Sequence, residues 1–503
     1  MNEPRTPETT CAPVAAPRSL GGHAVSGFAW SGLGYGSQAL GQILVLAVLA
    51  RYVSADDFGV ISATLLVIGI GKLFTQSVVG PAVVQRPQLE RRHRVTAFWL
   101  AVVSGLAVAV ATVLMAPVVE RFFRFENLEP VLLVLSFSFV LQAPAVVSEA
   151  LMQRELDFRR LAMADAVSFF VGYCAVGVIL AVAGAGVWAL VGASLAQVAV
   201  HSALLITLRR PEVSAEFDRA AAGEILHFGG GFTAGKVFNY AAGQGDYFVI
   251  GRWMTASDLG YYSRAYQLVA MPAMLLGQMM DRVLFPVMAS FQHDRARLAE
   301  AYRRGISLVA TVMAPLSVLI VMLAPEIVRV LLGPDWGPVV APLRVLALGL
   351  VCRTGYKISD SLARSVGTVY KRAWRQAIYA ALVVTGALVG RRWGITGVAW
   401  GVLFAIVVNY AAMAALSLAS TGMSWTRFLT AHVRGLALAA ATAGATYVCT
   451  AALRSAGAGA LVVLVGAGGA VAVGLLTAAR FAPELVLGPD ALWVVKRIKD
   501  KAT

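Results

Sequence analysis

The chain has 503 residues, of which 58% are hydrophobic and only 14% charged, with a formal net charge of +15 and a mean hydropathy of +0.73. Such a balance excludes an ordinary soluble domain, which would expose large apolar patches. It makes the bilayer the solvent.

Residues 1–22 are polar and rich in Pro, Thr and Ala. They lack the basic start, apolar run and small-residue cleavage site of a signal peptide, and read as a disordered cytoplasmic tail. About fourteen apolar stretches of roughly 17–25 residues follow, each long enough to cross a hydrocarbon core of about 30 Å as a helix. They fall near 26–50, 58–80, 95–118, 130–149, 161–184, 186–207, 226–250, 259–280, 306–324, 339–363, 374–390, 395–418, 433–453 and 457–478. The fold class is therefore an all-α polytopic membrane protein. Residues 481–503 read as a second cytoplasmic tail.

About two thirds of the 42 Lys and Arg residues fall in alternate loops, among them Arg86, Arg91, Arg92, Arg94, Arg154, Arg159 and Arg160, which by the positive-inside rule places both termini in the cytoplasm. Facing anionic headgroups, these residues account for the net charge without nucleic acid. Of the four cysteines, Cys174, Cys352 and Cys449 lie in apolar spans and Cys11 in the tail. No spacing suggests a disulfide framework or a metal site.

Leu49-Ala-Arg-Tyr-Val-Ser-Ala-Asp-Asp-Phe-Gly-Val-Ile-Ser62 returns as Ile250-Gly-Arg-Trp-Met-Thr-Ala-Ser-Asp-Leu-Gly-Tyr-Tyr-Ser263. Six spans separate the copies, so both face the same way. That predicts two parallel six-helix lobes, 23–208 and 226–420, around a central path, with two further helices over 421–480. Ser54-x-x-Asp57 and Thr255-x-x-Asp258 also have the form of capping boxes, and Arg51 and Arg252 suit the negative end of the preceding helix. Residues 209–225 read as a surface-lying linker helix, and 287–304 as a second interfacial segment. Pro144, Pro272, Pro315 and Pro342 mark positions for kinks.

Polar residues inside apolar spans are costly and normally face a bundle interior. In span 7, Lys236, Asn239, Gly243 and Asp246 keep helical spacing, as do Arg353, Lys357, Asp360 and Arg364 in span 10. Ser31, Tyr35, Gln38 and Gln42 mark span 1; Ser62, Gly69, Lys72 and Gln76 mark span 2; Arg264, Gln267 and Gln278 mark span 8. These stripes predict a net cationic central lumen, with Lys72, Lys236, Arg264, Arg353, Lys357, Arg51, Arg252, Asn239, Gln38 and Gln42 as substrate-binding candidates. Arg344 is a further basic candidate. Guanidinium and ammonium groups suit an anion such as diphosphate. Asp165, Asp246, Asp360 and Glu149 are candidates to relay protons or hold a cation. The competing reading for each polar residue is snorkelling or structural pairing, Lys357 with Asp360 being three residues apart.

The run Ile250-Gly-Arg-Trp-Met-Thr-Ala-Ser-Asp-Leu-Gly-Tyr-Tyr-Ser-Arg-Ala-Tyr-Gln-Leu, then Leu284-Phe-Pro-Val-Met and Leu331-Leu-Gly-Pro-Asp-Trp, resembles the Wzx-like polysaccharide exporters of the multidrug/oligosaccharidyl-lipid/polysaccharide superfamily. Within it, the resemblance is to the branch with colanic-acid and xanthan repeat-unit flippases, over about residues 25–420. The resemblance implies alternating-access export of an undecaprenyl-diphosphate-linked oligosaccharide across the bacterial inner membrane. It implies basic lumen residues that hold the diphosphate-sugar, no cofactor, and work beside a polysaccharide polymerase and other assembly components. Coupling to H⁺ or Na⁺ stays open. A lipid II flippase or a drug/cation antiporter of the same architecture is the alternative; a membrane glycosyltransferase is a distant one, since no Asp-x-Asp motif occurs.

Overall fold

A computed structural model describes residues 41–86, 88–214 and 216–481, and every regular element among them is a helix. In the first half these are α1 (41–49), α2 (Ala55–Gln85), α3 (Arg91–Phe123), α4 (Leu128–Gln142), α5 (Ala145–Arg154), α6 (Phe158–Val182) and α7 (Val187–Leu208). The second half contains α8 (Arg219–Gly243), α9 (Gly245–Trp253), α10 (Ala256–Ser290), α11 (Arg295–Leu331), α12 (Val340–Leu348), α13 (Leu350–Ser365), α14 (Val369–Gly390) and α15 (Gly394–Thr421), followed by α16 (Trp425–Ser455) and α17 (Ala460–Phe481). Both tails, most of span 1 with Ser31, Tyr35 and Gln38, and Cys11 lie outside the described residues.

Nine helices among the described residues are long and apolar enough to cross a membrane, or up to eleven spans if each sharply bent pair counts as one. The expected fourteen is not reached among them. Span 1 lies mostly outside, α8 is not among the nine, and the stretch Tyr370–Thr421 counts once. That stretch is a hairpin folded at the 3₁₀ turn Arg391–Trp393. A Cβ on Gly390 would meet the Gly397 carbonyl oxygen at 2.3 Å, and one on Gly401 the Gly386 carbonyl oxygen at 2.3 Å. Two glycine pairs four residues apart thus let α14 and α15 touch backbone to backbone, as small residues permit between membrane helices.

Local signals at the repeat hold. Ser54 Oγ accepts from the Asp57 amide at 3.1 Å while the Asp57 carboxylate accepts from the Ser54 hydroxyl at 2.8 Å, and Thr255 with Asp258 repeats the arrangement at 3.1 and 2.8 Å. Both are complete capping boxes, so α2 and α10 start at equivalent points. They meet in register and in the same sense: Ser257 donates to Asp56 at 2.6 Å, and deeper along both helices Ser62 donates to Ser263 at 3.1 Å. The principal apolar core draws buried residues from Val45 through Ala431 and so joins both halves.

Several expectations are corrected. No separate linker helix occupies 209–225: residues 209–214 and 216–218 are without helix, and α8 begins at Arg219. Arg94 with Glu212 (2.9 Å) and Arg92 with Asp218 (3.3 Å) tie that segment to the start of α3. Residues 287–304 likewise form no interfacial element of their own, because α10 runs to Ser290 and α11 starts at Arg295. Span 4 bends by 50° between α4 and α5, beside Pro144. Span 5 contains a π-helical stretch, Phe170–Gly177, where Gly172 lies against the backbone of Ala193 and Gln197 on α7.

Candidate functional site

The polar stripe of span 10 survives intact because it lies wholly on α13, which follows a 43° bend at Gly349. Arg353 is buried at 8% exposure, with its guanidinium 4.2 Å from the ring centre of Tyr266 on α10. One turn on, Lys357 Nζ donates to the Ala273 carbonyl at 3.3 Å. Gly277 makes that approach possible, since a Cβ there would stand 2.5 Å from Lys357 Cδ. Farther along, Arg364 pairs with Asp281 of α10 and, at 3.2 Å, with Asp360, which also pairs with Arg372 of α14. Asp360 thus serves two guanidiniums and not Lys357. Lys357, Asp360, Arg364, Asp281 and Arg372, though not Arg353, border a cavity of about 280 Å³.

The span 7 stripe does not survive as one face. The helix breaks at Gln244, whose φ of −122° and ψ of 12° end α8 and start α9. Lys236 is exposed on α8, the Asn239 side chain lies outside the described residues, and Asp246 is buried at 2% exposure. There Asp246 accepts from the Tyr262 hydroxyl at 2.7 Å and from the Tyr247 amide at 3.0 Å, within electrostatic reach of Arg353. Tyr247 stands edge-on to Tyr262 at 5.7 Å and to Tyr266 at 5.6 Å.

Arg264 joins this group from α10. Its guanidinium lies 4.6 Å over Phe58 of α2, its Nε donates to Ser263 at 3.4 Å, and both it and Arg353 act electrostatically on Tyr247. The cluster therefore brings together two arginines, one carboxylate and three tyrosines. A guanidinium stacked on a ring keeps its edge N–H groups for an oxyanion. Tyrosine hydroxyls add donors and acceptors suited to phosphate or sugar oxygens.

The remaining candidates are dispersed. Lys72 is half-buried on α2 and Gln42 half-buried on α1. Arg51 donates to the Val330 carbonyl at 3.4 Å, and Arg252 lies over Phe122 at 5.5 Å. Arg344 donates to the Val321 carbonyl at 3.1 Å. Asp165 pairs with His201 at 3.0 Å, and Glu149 accepts from Gln153 at 3.1 Å. Sequence reasoning missed Asp281, Arg372, His201 and the tyrosines. A signal existed for Asp281, three residues after Gln278 on the striped face, and for Tyr262 and Tyr266, four apart on one helix; none existed for the partners on other helices.

A family model described as "Polysaccharide biosynthesis protein" matches residues 48–341. The lipopolysaccharide biosynthesis protein WzxC of Escherichia coli (strain K12) is 25% identical over 403 residues, 78% of this chain and 80% of that protein. The succinoglycan biosynthesis transport protein ExoT of Rhizobium meliloti (strain 1021) is 25% identical over 349 residues, 69% and 70% of the two chains. Among solved structures, the lipid II flippase MurJ in an inward closed conformation superposes with a TM-score of 0.70 at 13% identity, over 90% of this chain and 99% of that one. A multidrug resistance MATE family transporter of the MOP superfamily, inward-facing, gives 0.60 at 15% identity over 78% and 94%. These two carry the fold alone. The matched family model spans more than half of the sequence, and the chain belongs to this polysaccharide biosynthesis protein family.

Proposed function

We propose that this multi-pass membrane protein is a flippase that moves an undecaprenyl-diphosphate-linked oligosaccharide repeat unit across the bacterial inner membrane by alternating access, for surface polysaccharide synthesis. The observation that carries the reading is Arg353: a guanidinium buried on Tyr266 beside Arg264, turned into the bundle where an insertion penalty would otherwise disfavour it. Family membership and the similarity to WzxC and ExoT support a polysaccharide unit over lipid II. In this reading both termini are cytoplasmic, the lobes span 23–208 and 226–420, residues 421–480 add two helices, and no covalent bond is made or broken. The basic residues hold the diphosphate by charge-assisted hydrogen bonds while the lipid tail stays among acyl chains. Drive comes from an H⁺ or Na⁺ gradient, with Asp165, Asp246 and Asp360 as the acids to test.

The experiment is complementation of a strain lacking its repeat-unit flippase, with surface polysaccharide and the cytoplasmic-face lipid-linked intermediate both quantified. Arg353→Glu and Lys236→Glu, each checked for insertion, abolish export and accumulate the intermediate. Normal export by both variants overturns the cationic-lumen reading.

A further inference from the structure

The two copies of the repeat close on each other. A Cβ on Gly59 would stand 1.8 Å from the Ala256 carbonyl oxygen, and a Cβ on Gly260 would stand 2.0 Å from the Ala55 carbonyl oxygen. The contact is reciprocal, as a two-fold interface requires, and no side chain larger than hydrogen fits on either side of it. Immediately inward, Ser62 donates to Ser263 at 3.1 Å, both buried. At the rim, Ser257 donates to Asp56 at 2.6 Å.

A plug backs this contact. Trp336, on the 3₁₀ turn Pro334–Val339 between α11 and α12, donates its indole N–H to the Ala50 carbonyl at 2.9 Å. It stands edge-on to Phe58 of α2 at 5.4 Å and to Tyr261 of α10 at 5.7 Å. On the inner side comes Arg264, next after Ser263 and stacked on Phe58, and with it the arginine and tyrosine cluster. On the outer side lies an open concavity of about 710 Å³ lined by Asp56, Asp57, Arg124, Arg252 and Thr255. The glycine contact is thus the partition between a polar interior and a polar vestibule.

The glycine contacts, the Ser62–Ser263 and Ser257–Asp56 hydrogen bonds, the Trp336 contacts with Ala50 and Phe58 and the stacking of Arg264 on Phe58 all join the first half of the chain to the second, each a single hydrogen bond, ring contact or close backbone approach. Such a contact can part as two rigid bodies without breaking either. We propose that Gly59 and Gly260 are the positioning residues of a gate: their backbone contact seals the substrate path at the capping-box end, and the transport cycle opens that end by separating α2 from α10 there. The proposal rests on the transport reading above and assigns that reading its moving contact.

The test starts from a chain with Cys11, Cys174, Cys352 and Cys449 replaced by alanine. Ser62→Cys with Ser263→Cys places two thiols where hydroxyls now touch; oxidation cross-links them, and export in the complemented strain falls at least tenfold and returns on reduction. Separately, a single Ser62→Cys, buried just inward of the glycine contact, reports access through its rate of labelling by a membrane-impermeant maleimide, measured in vesicles of both orientations. Gly59→Val or Gly260→Val speeds that labelling at least tenfold, because the end can no longer close. Export by the cross-linked protein at the reduced rate, or unchanged labelling in both glycine variants, overturns the gate. If the valine variants fail to insert, the cross-link decides alone, since serine and cysteine are close in size. If Ser62→Cys labels slowly in the glycine parent and fast in the valine variants, but the reduced double-cysteine protein restores no polysaccharide, the gate stands and the transport reading fails.

Discussion

Replacing Trp336 with phenylalanine isolates one bond of the gate. The indole N–H satisfies the Ala50 carbonyl, one of the last carbonyls of a helix end that otherwise has no intrahelical partner. Phe keeps a ring for the edge contacts with Phe58 and Tyr261 but leaves that buried acceptor bare. An unsatisfied buried acceptor costs about 1–3 kcal/mol, so the closed arrangement weakens by roughly fivefold to a hundredfold. Trp336→Ala also forfeits the ring: a large aromatic truncated in a core costs about 3–5 kcal/mol, the two edge contacts contributing about 0.5–1.5 kcal/mol apiece. Two readouts separate the effects. Denaturant titration of the purified protein in micelles gives the loss of stability, and labelling of Ser62→Cys gives the loss of closure. The expected order is wild type, then Phe, then Ala in both. Trp336→Phe within about 0.5 kcal/mol of wild type and with unchanged labelling would refute the assigned role of the indole bond, as would Phe and Ala losing the same amount.

Two further outcomes follow from packing and charge. Gly390→Leu forces a side chain into the Gly397 carbonyl, which sits 2.3 Å from the Cβ position, so the hairpin of α14 and α15 loses at least the ~1–3 kcal/mol typical of overpacking; Gly444→Ala, with nothing within 4 Å, is neutral or gains up to about 1 kcal/mol from helix propensity, and the two are compared by thermal denaturation in detergent. Asp218 caps α8, and the Ala221 and Ala220 amides, with Arg92 beside them, hold its carboxyl below the usual carboxylate range. A depressed folded value means the cap contributes fully above the ordinary range, ~3.9, and is lost only as pH falls through the lower folded value. The protection factors of the Ala220 and Ala221 amides, which divide out the intrinsic fall of exchange with pH, therefore stay level from neutral pH to about 4 and drop below it, while in Asp218→Ala they are low already at pH 7; equal protection in both proteins at neutral pH would contradict the cap.

What was legible in the sequence was local. Ser54 with Asp57 and Thr255 with Asp258 announce helix starts by their own spacing, and the repeat around Gly59 and Gly260 implied parallel copies that the paired serines bear out. What failed needed partners from elsewhere. The break at Gln244 follows no proline; beyond it Gly245 packs against Val384 of α14, at 2.6 Å from a Cβ position, and Asp246 turns to Tyr262, contacts that hydropathy of one span cannot contain. The non-helical linker is held by Arg92 and Arg94 of α3, and no pattern within 209–225 encodes them.

The site divides along the same line, with a consequence for its charge. Arg353, Lys357, Asp360 and Arg364 were readable as one face because polar groups at helical spacing inside an apolar span normally turn together toward a bundle interior. Their balance was not readable, because Asp281 and Arg372 arrive from α10 and α14. With those included, Arg364 and Arg372 answer Asp281 and Asp360 in a closed network, while Lys357 turns to a backbone carbonyl and Arg353 to a ring. The cationic excess of α13 is thus concentrated in its first two turns, next to Arg264 and the tyrosines and on the inner side of the glycine contact. An anion entering the bundle gains most where charge is least compensated and water is most excluded, so in the proposed reading the segment from Arg353 to Lys357 is the stretch of this helix that binds, while the Arg364 network ties α10, α13 and α14 together beside it.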